Sequence, residues 1–262
     1  VVDDQIDQPE KTYTVFQSDA AQEVTVRIVK LSECAMSTIA IKQITVDSQE
    51  GIRPAQPQSR LIEFVGDSIT CGYGVDPICE EARDLIRTVC AAPEADVHFL
   101  VGGTQTNLTV ITALLASYEA VIAAHTGHVN CHETGAIEAT GHKVCVETSP
   151  DGKVTPAMVE AVLARHDGSE HMVSPKMVYI SDTTEIGTVY TKAELTALRH
   201  CCDEHGLLLF LDGARLGSAL TSPESDLTLA DLAALTDVFT IGGTKNGALM
   251  GEALVLCNPH NP

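Results

Sequence analysis

Seven short apolar runs alternate with helical segments over the last two-thirds of this chain, and this alternation constrains the fold more than any other feature. Several runs are apolar throughout, which is typical of strands covered on both faces of a sheet. The alternation predicts right-handed βαβ units, and so an α/β fold with a largely parallel sheet and helices on both faces. The runs are 97–101, 120–124, 143–147, 177–181, 207–212, 238–241 and 253–257.

Local signals mark where helices between these runs begin and end. Thr155 precedes a proline, which suits the first position of a helix. Thr191 and Glu194 have the spacing of a capping box, and Gly206 is expected to end the helix that they open. Thr228 is expected to open another helix.

The first sixty residues have a different pattern. Residues 11–46 alternate polar and apolar side chains, which predicts antiparallel strands with one face in water. Residues 47–60 contain two prolines and no apolar period, so they are interpreted as a linker. A short antiparallel β segment is therefore expected ahead of the α/β part.

Charge and cysteine content restrict the partners and the compartment. The chain has 36 acidic and 16 basic residues and a net charge of −20, which excludes nucleic acid and anionic membrane surfaces as partners. No apolar run reaches the roughly 18 residues that a membrane span needs. The nine cysteines form no C-x-x-C pair and no Cys/His set with zinc spacing, and the adjacent Cys201 and Cys202 suit a normal disulfide poorly. No signal peptide is recognised either, so reduced thiols in a cytoplasmic protein are expected.

Lys245 and Asp212 each follow an apolar run and are about thirty residues apart. A lysine can form a Schiff base with an aldehyde, as in enzymes that use pyridoxal 5′-phosphate (PLP). An acidic residue at a strand end can keep the pyridine nitrogen of that cofactor protonated. The pair therefore indicates PLP, against two alternatives: a structural ion pair between Asp212 and Arg215, and an ordinary solvent-exposed Lys245.

Two further segments follow strands of the same predicted sheet. Gly103 and Thr104 stand where a strand gives way to a helix, a setting that suits a phosphate group but also an ordinary turn. His125, His128 and His132 follow the next strand. An imidazole there could stack on a pyridine ring or act as a general base, or it could simply lie at the surface. A zinc site is not expected, because no HExxH pattern or matching third ligand is present.

Residues from about 79 to 257 resemble the low-specificity threonine aldolases, which belong to the β-eliminating lyase group of fold-type-I PLP enzymes. The resemblance covers about two-thirds of the chain in the order of the family. It implies PLP-dependent cleavage of L-threonine or L-allo-threonine, a small amino-acid substrate, into glycine and acetaldehyde. The stretches that carry it are CEEARDLIR, DVHFLVGGTQTNLTVI, TGHVNCHETGAIEATGHKV, PKMVYISDTTEIGTVYTKAEL, LFLDGARLGSALTS and LTDVFTIGGTKNGALMGEALV.

The resemblance also implies roles for individual residues. Lys245 would bond the cofactor aldehyde, and Asp212 would contact the pyridine nitrogen. Arg215 would lie near the cofactor oxygen and the substrate carboxylate, while His128 would lie against the ring face. A histidine or a bound water would take the proton of the β-hydroxyl group. The phosphate would be bound by Gly103, Thr104 and Gln105.

This sequence departs from the family pattern in three ways. Family members have their own N-terminal segment, and here it is replaced by unrelated sequence. The chain ends 17 residues after Lys245, so the C-terminal small domain of the family is expected to be absent and the PLP large domain incomplete. Asp182 stands where the family commonly has Asn, and is expected to add negative charge near the cofactor. Such a chain, which would form a homo-oligomer if intact, is expected to turn over threonine slowly or not at all.

The stretch RLIEFVGDSITCGYGVD resembles the first block of an SGNH-type carbohydrate esterase, whose nucleophile would be Ser68. The base and the oxyanion-hole block of that group, D-x-x-H and G-x-N-D, are not found. The chain is therefore interpreted as a chimera of an esterase-like fragment and linker (1–60), an esterase-like strand and serine turn (61–77) and an aldolase-like large domain (78–262). An esterase acting through Ser68 and a non-catalytic β-rich binding module stay as alternatives.

Overall fold

The computed structural model describes residues 76–166, 168–248 and 251–257. The antiparallel β segment, the linker and Ser68 lie outside these described residues, so their assignments stay predictions. Seven strands form one sheet, and each coincides with one of the seven predicted apolar runs. The strands are β1 (Asp96–Leu100), β2 (Glu119–Ala124), β3 (Lys143–Glu147), β4 (Ser174–Ser181), β5 (Leu208–Asp212), β6 (Val238–Gly242) and β7 (Glu252–Leu256).

Helices connect most of these strands. In the part of the chain that the structure describes, the longest helices have 14 residues, and none could cross a bilayer. The first helix extends across the predicted boundary between residues 77 and 78. The helices are α1 (Asp76–Val89), α2 (Gly103–Leu114), α3 (His128–Cys131), α4 (Ala136–Ala139), α5 (Pro156–Ala164), α6 (Lys192–His205), α7 (Leu216–Leu220) and α8 (Leu229–Leu235).

The sheet has the strand order β1-β7-β6-β5-β4-β2-β3. Strands β3, β2, β4, β5 and β6 pair in parallel, whereas β7 pairs antiparallel with both β1 and β6. The predicted largely parallel sheet is therefore confirmed. Because β1 is also parallel to β6, the carboxyl ends of six strands point to the same edge of the sheet.

Both faces of the sheet are buried, as the apolar runs predicted. Along β4, Val178 and Ile180 belong to one hydrophobic cluster, and Met177 and Tyr179 belong to the other. Helices α5, α6 and α8 supply apolar side chains to the first cluster, and α2 and α4 supply them to the second. This two-sided burial fixes the strand ends that carry the polar site residues.

The predicted helix signals all have the expected geometry. The hydroxyl group of Thr155 accepts a hydrogen bond from the third residue of α5. Thr191 and Glu194 form a reciprocal capping box at α6, and Gly206 ends that helix in the left-handed conformation (φ 62°, ψ 35°). Thr228 opens α8 with a second capping box, which uses Asp231.

The turn after β5 contacts the end of β6 backbone to backbone. A Cβ atom on Gly213 would overlap the carbonyl oxygen of Thr240, and one on Gly242 would lie 2.6 Å from Cα of Ala214. Backbone hydrogen bonds reinforce the contact, since the N–H of Gly242 donates to the oxygen of Gly213 at 3.0 Å. Any side chain at either glycine would force these segments apart.

The variant Gly213→Ala is expected to lower the free energy of unfolding by about 3 kcal/mol or more, because the added methyl group overlaps backbone that cannot move independently. Gly102→Ala is the matched control: its Cβ would meet nothing within 4 Å, and its extended backbone (φ −167°) suits any residue. We expect that control to change stability by no more than about 0.5 kcal/mol. Urea denaturation measures both, and equal effects would contradict the close contact.

Candidate functional site

Polar side chains gather at the edge of the sheet where the parallel strands end. Asp212 is the last residue of β5, the turn at Gly102 follows β1, and His128 follows β2. Lys245 follows β6, and Glu252 begins the antiparallel strand β7 at the same edge. Open α/β sheets bind their ligands at this edge, so the topology brings the predicted site residues to one place.

The carboxylate of Asp212 is buried and accepts hydrogen bonds on both oxygens. Oδ2 accepts from Nδ2 of Asn107 at 2.9 Å and from the hydroxyl group of Tyr179 at 2.5 Å. Oδ1 accepts from the backbone N–H of Ala214 at 2.9 Å. Three donors compensate for burying the charge, and Oδ1 keeps a lone pair for one further donor. None of these partners is Arg215, so the alternative of a structural Asp–Arg pair is wrong.

Asn107 links Asp212 to a second buried carboxylate. Its Nδ2 atom also donates to Oε1 of Glu133 at 2.7 Å, and the same oxygen lies 2.8 Å from Nδ1 of His128. The second oxygen of Glu133, Oε2, is buried and has no hydrogen-bond partner in the part of the chain that the structure describes. A continuous buried network therefore joins the imidazole of His128 to the carboxylate of Asp212.

This network sets the protonation of two of its members. The hydrogen bond that His128 donates to Glu133 raises the pKa of His128; burial opposes the effect, and the charge of Asp212 adds to it. Burial raises the pKa of Tyr179 well above its ordinary value, and the charge of Asp212 raises it further. Tyr179 therefore keeps its proton and donates it to the hydrogen bond with Asp212.

The other two predicted histidines are less closely tied to this network. His125 is exposed, and its Nδ1 atom accepts a hydrogen bond from the backbone of Ser149 at 3.1 Å. His132 is also exposed, with its ring centre 5.5 Å from that of His128. Within residues 76–166, 168–248 and 251–257, no three potential ligand side chains are grouped as a metal ion would require.

The start of α2 presents unpaired backbone donors. The first α-helical backbone bond runs from Thr106 to Gly102, so the preceding N–H groups, those of Gly103, Thr104 and Gln105, have no helical partner. No side chain caps this helix. The side chain of Gln105 instead accepts from the backbone of Val101 at 3.2 Å. These N–H groups suit an anion such as a phosphate group.

Lys245 lies in an exposed turn. This exposure is also what the alternative interpretation, an ordinary loop lysine, predicts. Its positive charge nevertheless lowers the pKa of both His128 and Glu252. Asp212 raises the pKa of the same two groups. Lys245 and Asp212 therefore act on the same pair of side chains, as expected if both contact one ligand.

Arg215 and Asp182 follow strands at the same edge. Arg215 precedes α7, is half-buried, and its guanidinium group has no ion pair with any described residue. Asp182 is fully buried, accepts a hydrogen bond from the N–H of Tyr190 at 3.2 Å, and responds to the charges of Lys153 and Glu194. Burial raises its pKa to about 6. Its carboxyl group therefore lies beside Tyr190, and the expectation that it adds negative charge near the cofactor stays a prediction.

Three residues of the network and one further buried residue at this edge were not singled out from the sequence: Asn107, Glu133 and Tyr179 of the network, and Glu252. A charged residue at the start of the apolar run EALVL was the one available signal for Glu252, because a buried carboxyl group within a strand needs an explanation. All four lie within stretches already quoted, but no local pattern indicates that the side chains of Asn107, Glu133 and Tyr179 meet Asp212 or His128.

Comparison with known proteins places these residues in a family. The model of the family described as beta-eliminating lyase matches residues 58–260. Low-specificity L-threonine aldolase from Pseudomonas sp. (strain NCIMB 10558) is 38% identical over 223 residues, which is 83% of this chain and 62% of that protein. The Pseudomonas aeruginosa protein of the same name (strain PAO1) is 36% identical over 189 residues, 71% of this chain and 54% of that protein.

A solved structure of threonine aldolase from Leishmania major is 58% identical, with a TM-score of 0.69, and the match covers 71% of this chain and 54% of that one. The chain thus spans roughly half to three-fifths of the length of these relatives. The family match includes Ser68, and these comparisons give no support to the esterase alternative. The resemblance to threonine aldolases and the fold-type-I architecture are confirmed. The chain belongs to the beta-eliminating lyase family.

Proposed function

We propose that this protein is a PLP-dependent lyase that cleaves L-threonine or L-allo-threonine into glycine and acetaldehyde. The observation that carries the proposal is the buried hydrogen-bonded network that joins His128 to Asp212, at the same edge of the sheet as Lys245. The threonine aldolases from Pseudomonas and Leishmania major support this choice of reaction.

The residues present fit PLP at each of its three recognition points. Lys245 would hold the aldehyde carbon, and the free lone pair on Oδ1 of Asp212 suits a protonated pyridine nitrogen. The unpaired N–H groups of Gly103, Thr104 and Gln105 suit the phosphate group. When bound, PLP supplies an electron sink that accepts the electrons released from the broken bond.

The chain's own side chains would handle the substrate. Arg215 has its guanidinium group free of ion pairs with described residues, so it can bind the substrate carboxylate. His128 would hold or take the proton of the β-hydroxyl group. Its raised pKa makes it a stronger base than an ordinary histidine and increases its protonated fraction near neutral pH.

Assembly and compartment are further parts of the proposal. All seven described cysteines are free, which supports a reducing compartment such as the cytoplasm. Fold-type-I enzymes generally complete their sites across a dimer, so we propose a homo-oligomer as the working form. The chimeric origin of residues 1–77 stays a hypothesis, because those that precede α1 lie outside the described part of the chain.

Covalent attachment of PLP tests the cofactor assignment. After incubation with PLP and reduction with borohydride, peptide mass spectrometry should locate the label on Lys245. The variant Lys245→Ala should lose that label, because it lacks the amine that is proposed to bond the aldehyde. Lys143→Ala, which removes an exposed lysine of β3, should keep it. A label of equal yield on other lysines would contradict the assignment.

Product analysis tests the reaction, because PLP alone does not decide which bond is broken. Incubation with L-threonine should yield glycine and acetaldehyde in equal amounts, whereas β-elimination would give 2-oxobutanoate and ammonia. Asp212→Asn should lower the rate by about 100-fold or more, since it removes the charge that stabilises the protonated pyridine. Asp203→Asn, at an exposed site on α6, should leave the rate unchanged. Elimination products, or equal rates in both variants, would refute this reaction.

Glu133→Gln is expected to lower the pKa of His128, because it removes the largest cause of the upward shift. The protonated imidazole would then disappear at a lower pH, as an NMR titration of its ring protons can follow. Glu185→Gln is the matched control, since Glu185 accepts from the backbone N–H of His128 at 3.1 Å and does not contact its ring. An unchanged titration of His128 in the Glu133 variant would show that the hydrogen bond does not set its protonation.

A further inference from the structure

Glu252 is a buried acidic residue to which the proposed reaction gives no role. It begins β7 between Leu100 of β1 and Gly242 of β6, and only 4% of its surface is exposed. Its Oε2 atom is buried and has no hydrogen-bond partner among the described residues. A buried carboxyl group with an unpaired oxygen is unfavourable when ionised, so its presence at the site needs a reason.

The side chain of Glu252 is directed at the start of α2. A Cβ atom placed on Gly103 would lie 3.9 Å from Oε1 of Glu252. Gly103 is also the first residue whose N–H group is free to bind an anion. The carboxyl group therefore lies beside the place where the phosphate group of PLP is proposed to bind.

The charged groups around Glu252 come from two neighbouring segments. Burial raises its pKa to about 7, the charge of Asp212 adds to this, and the charge of Lys245 opposes it. Helix α2 carries no ionisable residue. The residues paired with Glu252 in β1 and β6, Leu100 and Gly242, are not ionisable either. Its protonation thus changes close to neutral pH, where a bound anion could shift it.

We propose that Glu252 couples proton uptake to phosphate binding. When its carboxyl group is neutral, a phosphate group can bind beside it at the start of α2, and when the carboxyl group is ionised, that binding is weaker. This inference rests on the proposed function. Two negative groups at close range in a buried site repel each other, so a bound phosphate favours the protonated carboxyl group. Above the pKa that Glu252 has in the ligand-free protein, phosphate binding therefore takes up a proton. The affinity for the phosphate group then falls by up to about tenfold for each pH unit.

Pyridoxine 5′-phosphate is the suitable probe, because it has an alcohol in place of the aldehyde and cannot bond to Lys245. Its phosphate group is mostly dianionic above about pH 7. Isothermal titration calorimetry on the full chain would give Kd between about pH 7 and pH 8.5, and buffers of different ionisation heat would give the protons taken up. In the wild type, Kd should rise by about tenfold over this range.

The variant Glu252→Gln keeps the shape of the side chain but cannot ionise. Its Kd should stay nearly constant over the same range, and it should take up fewer protons than the wild type. The comparison with this variant is needed because His128 also titrates in this region. Glu160→Gln, which removes an exposed carboxyl group from α5, should keep the wild-type profile. If Glu252→Gln does not fold, Glu252→Met provides a neutral side chain of similar length.

The possible outcomes separate this inference from the proposed function. Equal pH dependence and equal proton uptake in the wild type and in the neutral variants would overturn the role of Glu252 and leave PLP binding intact. Failure of the wild type to bind the probe at any pH would overturn both. A second readout needs no ligand: the melting temperature of Glu252→Gln should exceed that of the wild type at pH 8, because the wild type then ionises a buried carboxyl group.

Discussion

The contact between the turn after β5 and the end of β6 is the constraint on which the site depends. Gly213 and Gly242 let two backbones approach so closely that no side chain fits between them. Asp212 directly precedes one of these glycines, and Lys245 comes three residues after the other. The contact therefore fixes the carboxylate relative to the loop that carries the amine. Two segments that are distant in sequence are therefore held together by backbone packing.

The buried network adds a second constraint, which acts on protonation. Burying an unpaired carboxylate costs several kcal/mol, and here two carboxylates share one amide donor, Nδ2 of Asn107. Asp212 accepts hydrogen bonds from two further donors. Glu133 has one oxygen without a partner among the described residues, and its other oxygen stabilises the protonated form of His128. The same arrangement that stabilises the charge of Asp212 thus makes His128 more basic. Changing either carboxylate is expected to affect the other through this single amide.

Most of the secondary structure could be predicted from the sequence, because its signals are local. Apolar runs, capping boxes and Gly206 depend on residues close together in the chain, and the structure confirms them. The antiparallel direction of β7 could also be predicted from the sequence, because the nine residues 243–251 are too few for the crossover that a parallel strand needs. The position of β1 beside β7 could not be predicted, because it depends on pairing between segments about 150 residues apart.

The candidate site also has some features that local sequence predicts and others that depend on long-range packing. Lys245, Asp212 and His128 could be identified because each stands in a recognisable stretch at a strand end. Their partners could not, since Asn107 and Asp212 are 105 residues apart and meet only after the sheet has formed. Asp182 stands where the family commonly has Asn, and its hydrogen bond with the backbone N–H of Tyr190 could not be predicted from that difference. Sequence identifies which residues reach the edge of the sheet, and packing decides which of them face the ligand.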